Sequence, residues 1–333
     1  MSQMSRWFDR TFELGLPVSA APALLMRLGA TPERLEHAVR SLPEAVRIHR
    51  RQGRWSIQEN AGHLLDLEPL WEQRLDDFDR GAPVLQRADL RNRKTHDARH
   101  NDRLLDDILR QFREIRERLV QRLERMAPAE LARVSSHPRL QQPMSVVDLC
   151  FFVAEHDDHH LATIDALSRS LATIPEYALE LANTVDRAEA ALRALDEERT
   201  GHRPAPGKWS PREIVGHLVD SASNNHQRFV RAMFQDDLVF AGYAQDDWVS
   251  AQRYQDSSWP ELVTLWASFN RHLAHVMASV PESVRMRPHT RHNLHEIAFE
   301  QPAAGQPATL DYFMHDYVRH LQHHLRQIFP TPS

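Results

Sequence analysis

The sequence is nearly without cysteine: its 333 residues include one, Cys150, so no disulfide can form within the chain. Glycine is scarce at 10 residues. Strand-like alternation is also weak, and long segments follow a helical period instead, which makes the class all-α. No apolar run reaches the roughly 18 residues that a spanning helix needs, so no membrane partner is expected. The stretch from Met1 to Arg10 lacks an apolar signal core, and a cytoplasmic location is the expectation. Cationic excess is missing too. With 41 Lys and Arg against 46 Asp and Glu, a net charge of -5 leaves no electrostatic footprint for nucleic acid. Cys150 lies between Leu149 and Phe151 in a helical apolar pattern, which reads as a buried, inert thiol. What the chain has in abundance is histidine, 21 residues.

The histidines are not scattered. His156, His159 and His160, followed by Leu161 and Ile164, recur as His320, His323 and His324 with Leu325 and Ile328. A second repeat joins Gly53, Trp55, Ser56, Glu59, Gly62 and His63 to Gly207, Trp209, Ser210, Glu213, Gly216 and His217, at an offset of 154 residues. At that offset Ile108, Phe112, Ile115 and Leu119 fall on Leu262, Trp266, Phe269 and Leu273, an apolar helix stripe in each half. The chain is therefore a duplicated unit, with domains expected at 1–172, including an amino-terminal extension, and 173–333. The later half carries a longer loop before its last helix, around His289, His292, His295 and Glu296.

Four helices are expected per unit, near 32–48, 56–79, 103–126 and 145–169, then 174–198, 210–235, 258–280 and 309–329. Residues 1–31 read as an extra helix packed on the first bundle. Ser56 with Glu59 and Ser210 with Glu213 form capping boxes, which account for both glutamates. Ser145 and Thr309 cap the last helices. The connections 80–101 and 236–256 are too long for hairpins and suggest a crossover or a lid.

A spacing of i, i+4 places His156 with His160, and His320 with His324, on one helix face. Two imidazoles do not make a site. His63 and His217, each in the second turn of its helix, are the natural third members. Three histidines leave positions open for water or substrate, the arrangement of a catalytic metal site. A lone histidine at a helix margin is more often structural; here three recur at matching places in both copies. His159 and His323 are assigned to supporting or surface roles. Asp66 and Asp220, three residues past that histidine, are within reach of its free ring N–H, although a solvated aspartate is the commoner reading of such a position. Along the second unit's helix, Ser221, Asn224 and Arg228 continue the face of His217, where the first unit has Leu67, Leu70 and Arg74. That polar face reads equally as a solvated helix face or as a pocket wall with Arg228 able to hold a carboxylate; if one unit alone is active, it favours the second. Asp220 and Arg228 are the candidate catalytic residues, with Asp157 and Asp158 weaker candidates for a general base.

These motifs resemble the DinB-like (DinB/YfiT) family: a Trp-Ser-x-x-Glu start with a histidine in helix two, and His-x-x-x-His in helix four. The resemblance covers nearly all of the chain beyond residue 30, as two fused copies. It implies tandem four-helix bundles of up-down-down-up topology, each with a divalent transition metal (zinc, nickel or iron) at His63, His156 and His160 or at His217, His320 and His324. Similar proteins include metal-dependent hydrolases and thiol-dependent transferases or isomerases using bacillithiol, mycothiol or glutathione. Single-unit relatives commonly dimerise, so the fusion resembles a pseudo-dimer within one chain. Thr163, where the second copy has Gln327, departs from the pattern.

The leading expectation is thus a metal-dependent thiol S-transferase or hydrolase acting on a small molecule, with a low-molecular-weight thiol as cosubstrate in the first case. The alternative is a non-catalytic protein that binds metal or a small molecule and uses its metals structurally.

Overall fold

In the computed structural model, which describes residues 7–51 and 53–330, the chain divides into two compact units, Met1–Ala172 and Thr173–Ser333. The first is built on α1 (Ala21–Val39), α2 (Ile57–Asp79), α3 (Leu105–Glu124) and α4 (Val146–Leu171). The second is built on α5 (Glu176–Arg193), α6 (Pro211–Ala232), α7 (Trp259–Ser279) and α8 (Leu310–Ile328). In each unit the first helix packs on the third and fourth, and so does the second, leaving the first and second diagonal. Side-chain pairs give the directions. Gln58 at the start of α2 bonds the backbone just before α3, and Asp79 at its end pairs with Arg122 near the end of α3, so these two run parallel. Asn60 early in α2 meets His160 late in α4, an antiparallel pair. Arg27 and Thr31 of α1 meet Asp158 and Asp157 of α4, while Glu36 meets Arg113 of α3. The order is up, down, down, up. A parallel second and third helix is what the long connection between them is for.

The helices start where their chemistry dictates. Ser56 and Ser210 accept from the backbone N–H of Glu59 and Glu213, and each glutamate returns the bond to its serine's N–H. Ser145 and Thr309 cap α4 and α8. The opening of the first unit differs from expectation. Among the described residues two short 3-10 turns, Trp7–Asp9 and Val18–Ala20, come first; α1 then runs unbroken from Ala21 to Val39 with Pro32 inside it, so the expected extra helix and first bundle helix are one, and a short helix, Glu44–Arg47, follows. Thr31 and Pro32 resemble a cap and a first helical residue, yet the break is repaired by tertiary contacts. Proline cannot donate to the carbonyl of Leu28, and the Arg116 guanidinium donates to it instead at 3.3 Å. A second departure is a small hairpin, Val134–Ser136 paired antiparallel with Pro143–Ser145, which an all-helical reading left out.

The cores follow the apolar stripes. Leu310, Phe313, Met314, Tyr317, Leu321 and Ile328 of α8 are all buried, and so are Ile108, Phe112 and Leu119 of α3. Cys150 is buried as well, and burial pushes its thiol up to about 12. At the centre of the first unit lies an ion network. Arg116 donates to Glu68 at 2.6 and 3.1 Å and to Asp157 at 2.5 and 3.2 Å, and Asp157 also accepts from the Thr31 hydroxyl at 3.0 Å. The second unit has no such charges at the matching places. Asn270 stands where Arg116 does, and accepts from the Tyr317 hydroxyl at 2.5 Å. Asp157 is thereby consumed in packing, and Asp158 pairs with Arg27 and Arg34, so neither is free to act as a base. Arg116→Met would leave two carboxylates buried without their cation, and should cost about 3–5 kcal/mol. Urea unfolding of the full chain measures this, and apolar replacement of Arg116, Glu68 and Asp157 together should recover most of the loss.

Candidate metal centre

His63 projects from the second turn of α2, and His156 and His160 from successive turns of α4. All three are buried, and one ring nitrogen from each lies within 4.8 Å of the other two. Their outer nitrogens are held. His63 Nδ1 lies 2.9 Å from Thr95 Oγ1, and Thr95 also bonds Asp66. The carboxylate can only accept, so the hydroxyl donates to Asp66 and receives the imidazole N–H. His160 Nδ1 lies 2.8 Å from Asn60 Oδ1, whose amide nitrogen is engaged with the carbonyl of Ser56. Both rings therefore present a bare Nε2. His156 Nδ1 has no partner among the described residues.

The second unit repeats the trio with weaker support. His217, His320 and His324 again bring one nitrogen each to within 4.8 Å, and the Nε2 atoms of His217 and His320 are 3.2 Å apart. Two ligands at about 2.05 Å on a tetrahedral ion are separated by about 3.3 Å, so this spacing suits a shared ion. Ser221 Oγ lies 3.4 Å from His320 Nδ1, and Gln327 Oε1 lies 3.4 Å from His324 Nδ1. Where the first unit has Thr95 the second has Val249, buried and apolar, and His217 Nδ1 is left without a partner among the described residues. Three neutral imidazoles with open remaining positions suit zinc, nickel or iron, and in both units the residues present fit such an ion.

The rest of the repeated motif now has a purpose. Trp55 and Trp209 lie against His63 and His217, with ring centroids 4.6 and 4.9 Å apart. A Cβ on Gly62 would sit 2.2 Å from the His100 ring, and one on Gly216 would sit 2.2 Å from the Tyr254 ring. Glycine is needed so that the long connection can lay a ring on the helix. Each ring then bonds the aspartate one turn on: His100 Nε2 with Asp66 at 2.8 Å, and the Tyr254 hydroxyl with Asp220 at 2.7 Å. Asp66 thus orients His63 through Thr95. Asp220 does no such thing for His217; its bonds go to Tyr254 and Gln252, and it is not on the cavity wall. Burial raises the pKa of Asp220 against those two bonds. Asp66 is lowered, its burial outweighed by His100, Thr95 and Lys94.

A cavity of about 430 Å³ opens on the second trio, walled by Ser221, Asn225 and Arg228. Asn225 takes the place expected of Asn224, which turns back to its own helix at the carbonyl of Asp220. Arg228 donates to the carbonyl of Ala241 at 2.7 Å and faces Tyr243 and Phe313. The longer loop of this half supplies Glu296 and Phe299 to the wall. The first trio opens on a larger cavity of about 1230 Å³, walled by Trp7, Trp55, Trp71 and Phe152. His159 also lines it, as His323 lines the second cavity while bonded to Gln327 at 3.1 Å. Helix-face polarity missed this larger cavity because the α2 face on it is largely apolar and much of the remaining wall comes from the amino-terminal segment, the hairpin and the long connection.

Comparison with known proteins places these features in a family. The family model described as the DinB superfamily matches residues 27–164 and again residues 180–328. The chain belongs to the DinB superfamily and carries two copies of its unit. Among solved structures the chain is similar to one from Bacillus subtilis described as "YfiT from Bacillus subtilis is a probable metal-dependent hydrolase with an unusual four-helix bundle topology". Identity is 18%, the match covers 49% of this chain and 94% of that one, and the TM-score is 0.44. No curated protein matches the chain. Among the described residues no helix is long and apolar enough to cross a membrane.

Burial holds all six imidazoles neutral. It lowers His63 and His324 to about 4 and His217 to about 3, and it takes His156, His160 and His320 well below the ordinary value. Unfolded imidazoles take up protons near 6.5. The folded state binds fewer protons below that point, so its stability is complete above pH 6.5 and falls as pH drops towards about 4. Thermal unfolding of the metal-free chain should show a falling midpoint across that window. A midpoint independent of pH there would mean that the rings are not buried as described.

Proposed function

We propose that each histidine trio binds one divalent transition metal ion, and that the chain is a metal-dependent enzyme acting on a small molecule. The observation that carries this reading is the recurrence in both units of three neutral imidazoles with converging nitrogens, all buried in the first unit and buried or half-buried in the second. A bound ion with open positions lowers the pKa of a water or thiol and supplies a nucleophile near neutral pH. The family resemblance favours two reactions, hydrolysis and transfer to a low-molecular-weight thiol.

The protein's own groups do the rest. Thr95 and Asn60 keep His63 and His160 in the tautomer that offers Nε2. Trp55 shields the trio on one side. His159, half-buried on the cavity wall and kept neutral by burial and by Arg10, is the group placed to accept a proton from the nucleophile. The polarity of α6 favoured the second unit; the larger cavity and the better-held rings turn the proposal to the first. A non-catalytic binding role is the second reading. It draws support from the first cavity wall, whose one carboxylate, Asp89, is exposed and already bonded to Arg93.

Elemental analysis should find two metal equivalents in the purified chain, falling to one in His160→Ala. Thr95→Val should weaken the first site about tenfold to a hundredfold, as loss of a group behind a ligating histidine does, and leave the second unchanged. Turnover is assayed as thiol-adduct formation with chlorodinitrobenzene and as ester hydrolysis. His159→Gln should lower kcat without loss of metal. Two bound metals with neither activity would establish the binding role instead.

A further inference from the structure

The large cavity of the first unit has a second polar end, away from the histidine trio. Arg74 is 2% exposed and His137 1% exposed, yet Arg74 Nη1 and His137 Nε2 have no hydrogen-bond partner among the described residues. Arg139 Nη2 is buried and equally unpartnered. All three residues line the cavity. His137 Nδ1 accepts from the backbone N–H groups of Arg139 and Leu140 at 3.3 and 3.1 Å. Its Nε2 therefore carries the proton, and all three unpartnered atoms are donors.

The charge points the same way. Arg74 and Arg139 each disfavour protonation of His137, and Arg139 disfavours the charge on Arg74, so the three lie in one another's field. Arg74 donates through Nε to the carbonyl of Gln86 at 3.1 Å and sits over the Trp71 ring at 5.3 Å. Asp77 is near enough to favour its charge, but that carboxylate is bonded to Arg80 and the N–H of Gln86. Burying guanidinium donors without an acceptor is costly. Three donors so placed suit an oxyanion as their acceptor.

We propose that Arg74, His137 and Arg139 form a subsite for the anionic end of a small molecule, of carboxylate type, whose apolar body lies along Trp71 and Phe152 towards the histidine trio. Trp71 is about two helical turns past His63 and Phe152 one turn before His156, so the ligand is elongated rather than compact. Phe152 packs on both His137 and Trp71, with centroids 5.0 and 6.4 Å apart, and continues the apolar wall between the two ends. The second unit lacks this group. Arg228 occupies the place of Arg74, but its donors reach Ala241 and Asn225. The parallel bridges Val84 with Ser136 and Leu238 with His292 align the two loops. The residue after the bridge, His137 in one, is Asn293 in the other, and its amide is spent on the backbone of Phe240. The inference names a substrate feature for the proposed cavity and does not need the metal.

The test uses the metal-free full chain, so its failure is separate from failure of the metal reading. Calorimetric titration with 3-phenylpropionate, phenylphosphonate, sulfate and the neutral 3-phenylpropionamide should show one saturable site for the aromatic anions. The amide should bind at least about tenfold more weakly, the loss expected for one charge-assisted hydrogen bond. Sulfate alone binding would mean an inorganic anion site and overturn the elongated-ligand proposal. Arg74→Met should abolish the preference for anion over amide. Arg139→Gln, at a half-buried position that tolerates replacement, should reduce it, so misfolding of the first variant would not rescue the idea. Equal binding of acid and amide, no saturable binding by any of the four, or an unchanged preference in Arg139→Gln would each overturn the subsite.

Discussion

The structure depends on keeping three imidazoles buried, neutral and aimed at one point. Burial alone would scatter them, since an unpaired ring nitrogen in an apolar core gains from turning towards any acceptor. The antiparallel pairing of the second and fourth helices brings the rings together, and the groups behind them decide how firmly they are aimed. In the first unit, a hydroxyl and an amide hold two of the three rings. In the second, contacts at 3.4 Å and an unpartnered Nδ1 leave the trio more loosely held.

The two halves show what a duplicated bundle must keep and what it can change. Both retain the capping serine and glutamate, the tryptophan beside the trio, and the glycine that admits a ring from the long connection. The ring itself changed from His100 to Tyr254 while still bonding the aspartate one turn on. Central polar groups changed more. A charged network around Arg116 in one half corresponds to a neutral Asn270–Tyr317 pair in the other. Either arrangement satisfies its buried groups, and a satisfied buried network and a compact neutral pair are near in free energy. The trio is kept in both units; the surrounding packing is not.

Much of this was legible in the residues. Helix starts at Ser56, Ser145, Ser210 and Thr309, the apolar stripe of the last helix, and the family itself follow from local patterns, because caps and helical periodicity act within a few residues of the chain. The first helix was misread for the opposite reason. Thr31 and Pro32 look like a helix start, and only the distant Arg116, reaching the Leu28 carbonyl, makes the continuous helix acceptable. His137 and the hairpin that carries it gave no period to detect, and Thr95 sits in a connection whose course no repeat reveals.

By itself the sequence determined the duplication, the helical class and which eight histidines recur, since these rest on spacing along one chain and on comparison of its halves. Tertiary structure decided which groups stand behind each histidine, that Asp66 acts through Thr95 while Asp220 serves Tyr254, and that the roomier cavity belongs to the first unit. Those outcomes depend on how loops cross the bundle, and a loop's path is set by contacts made across many residues rather than by any local preference.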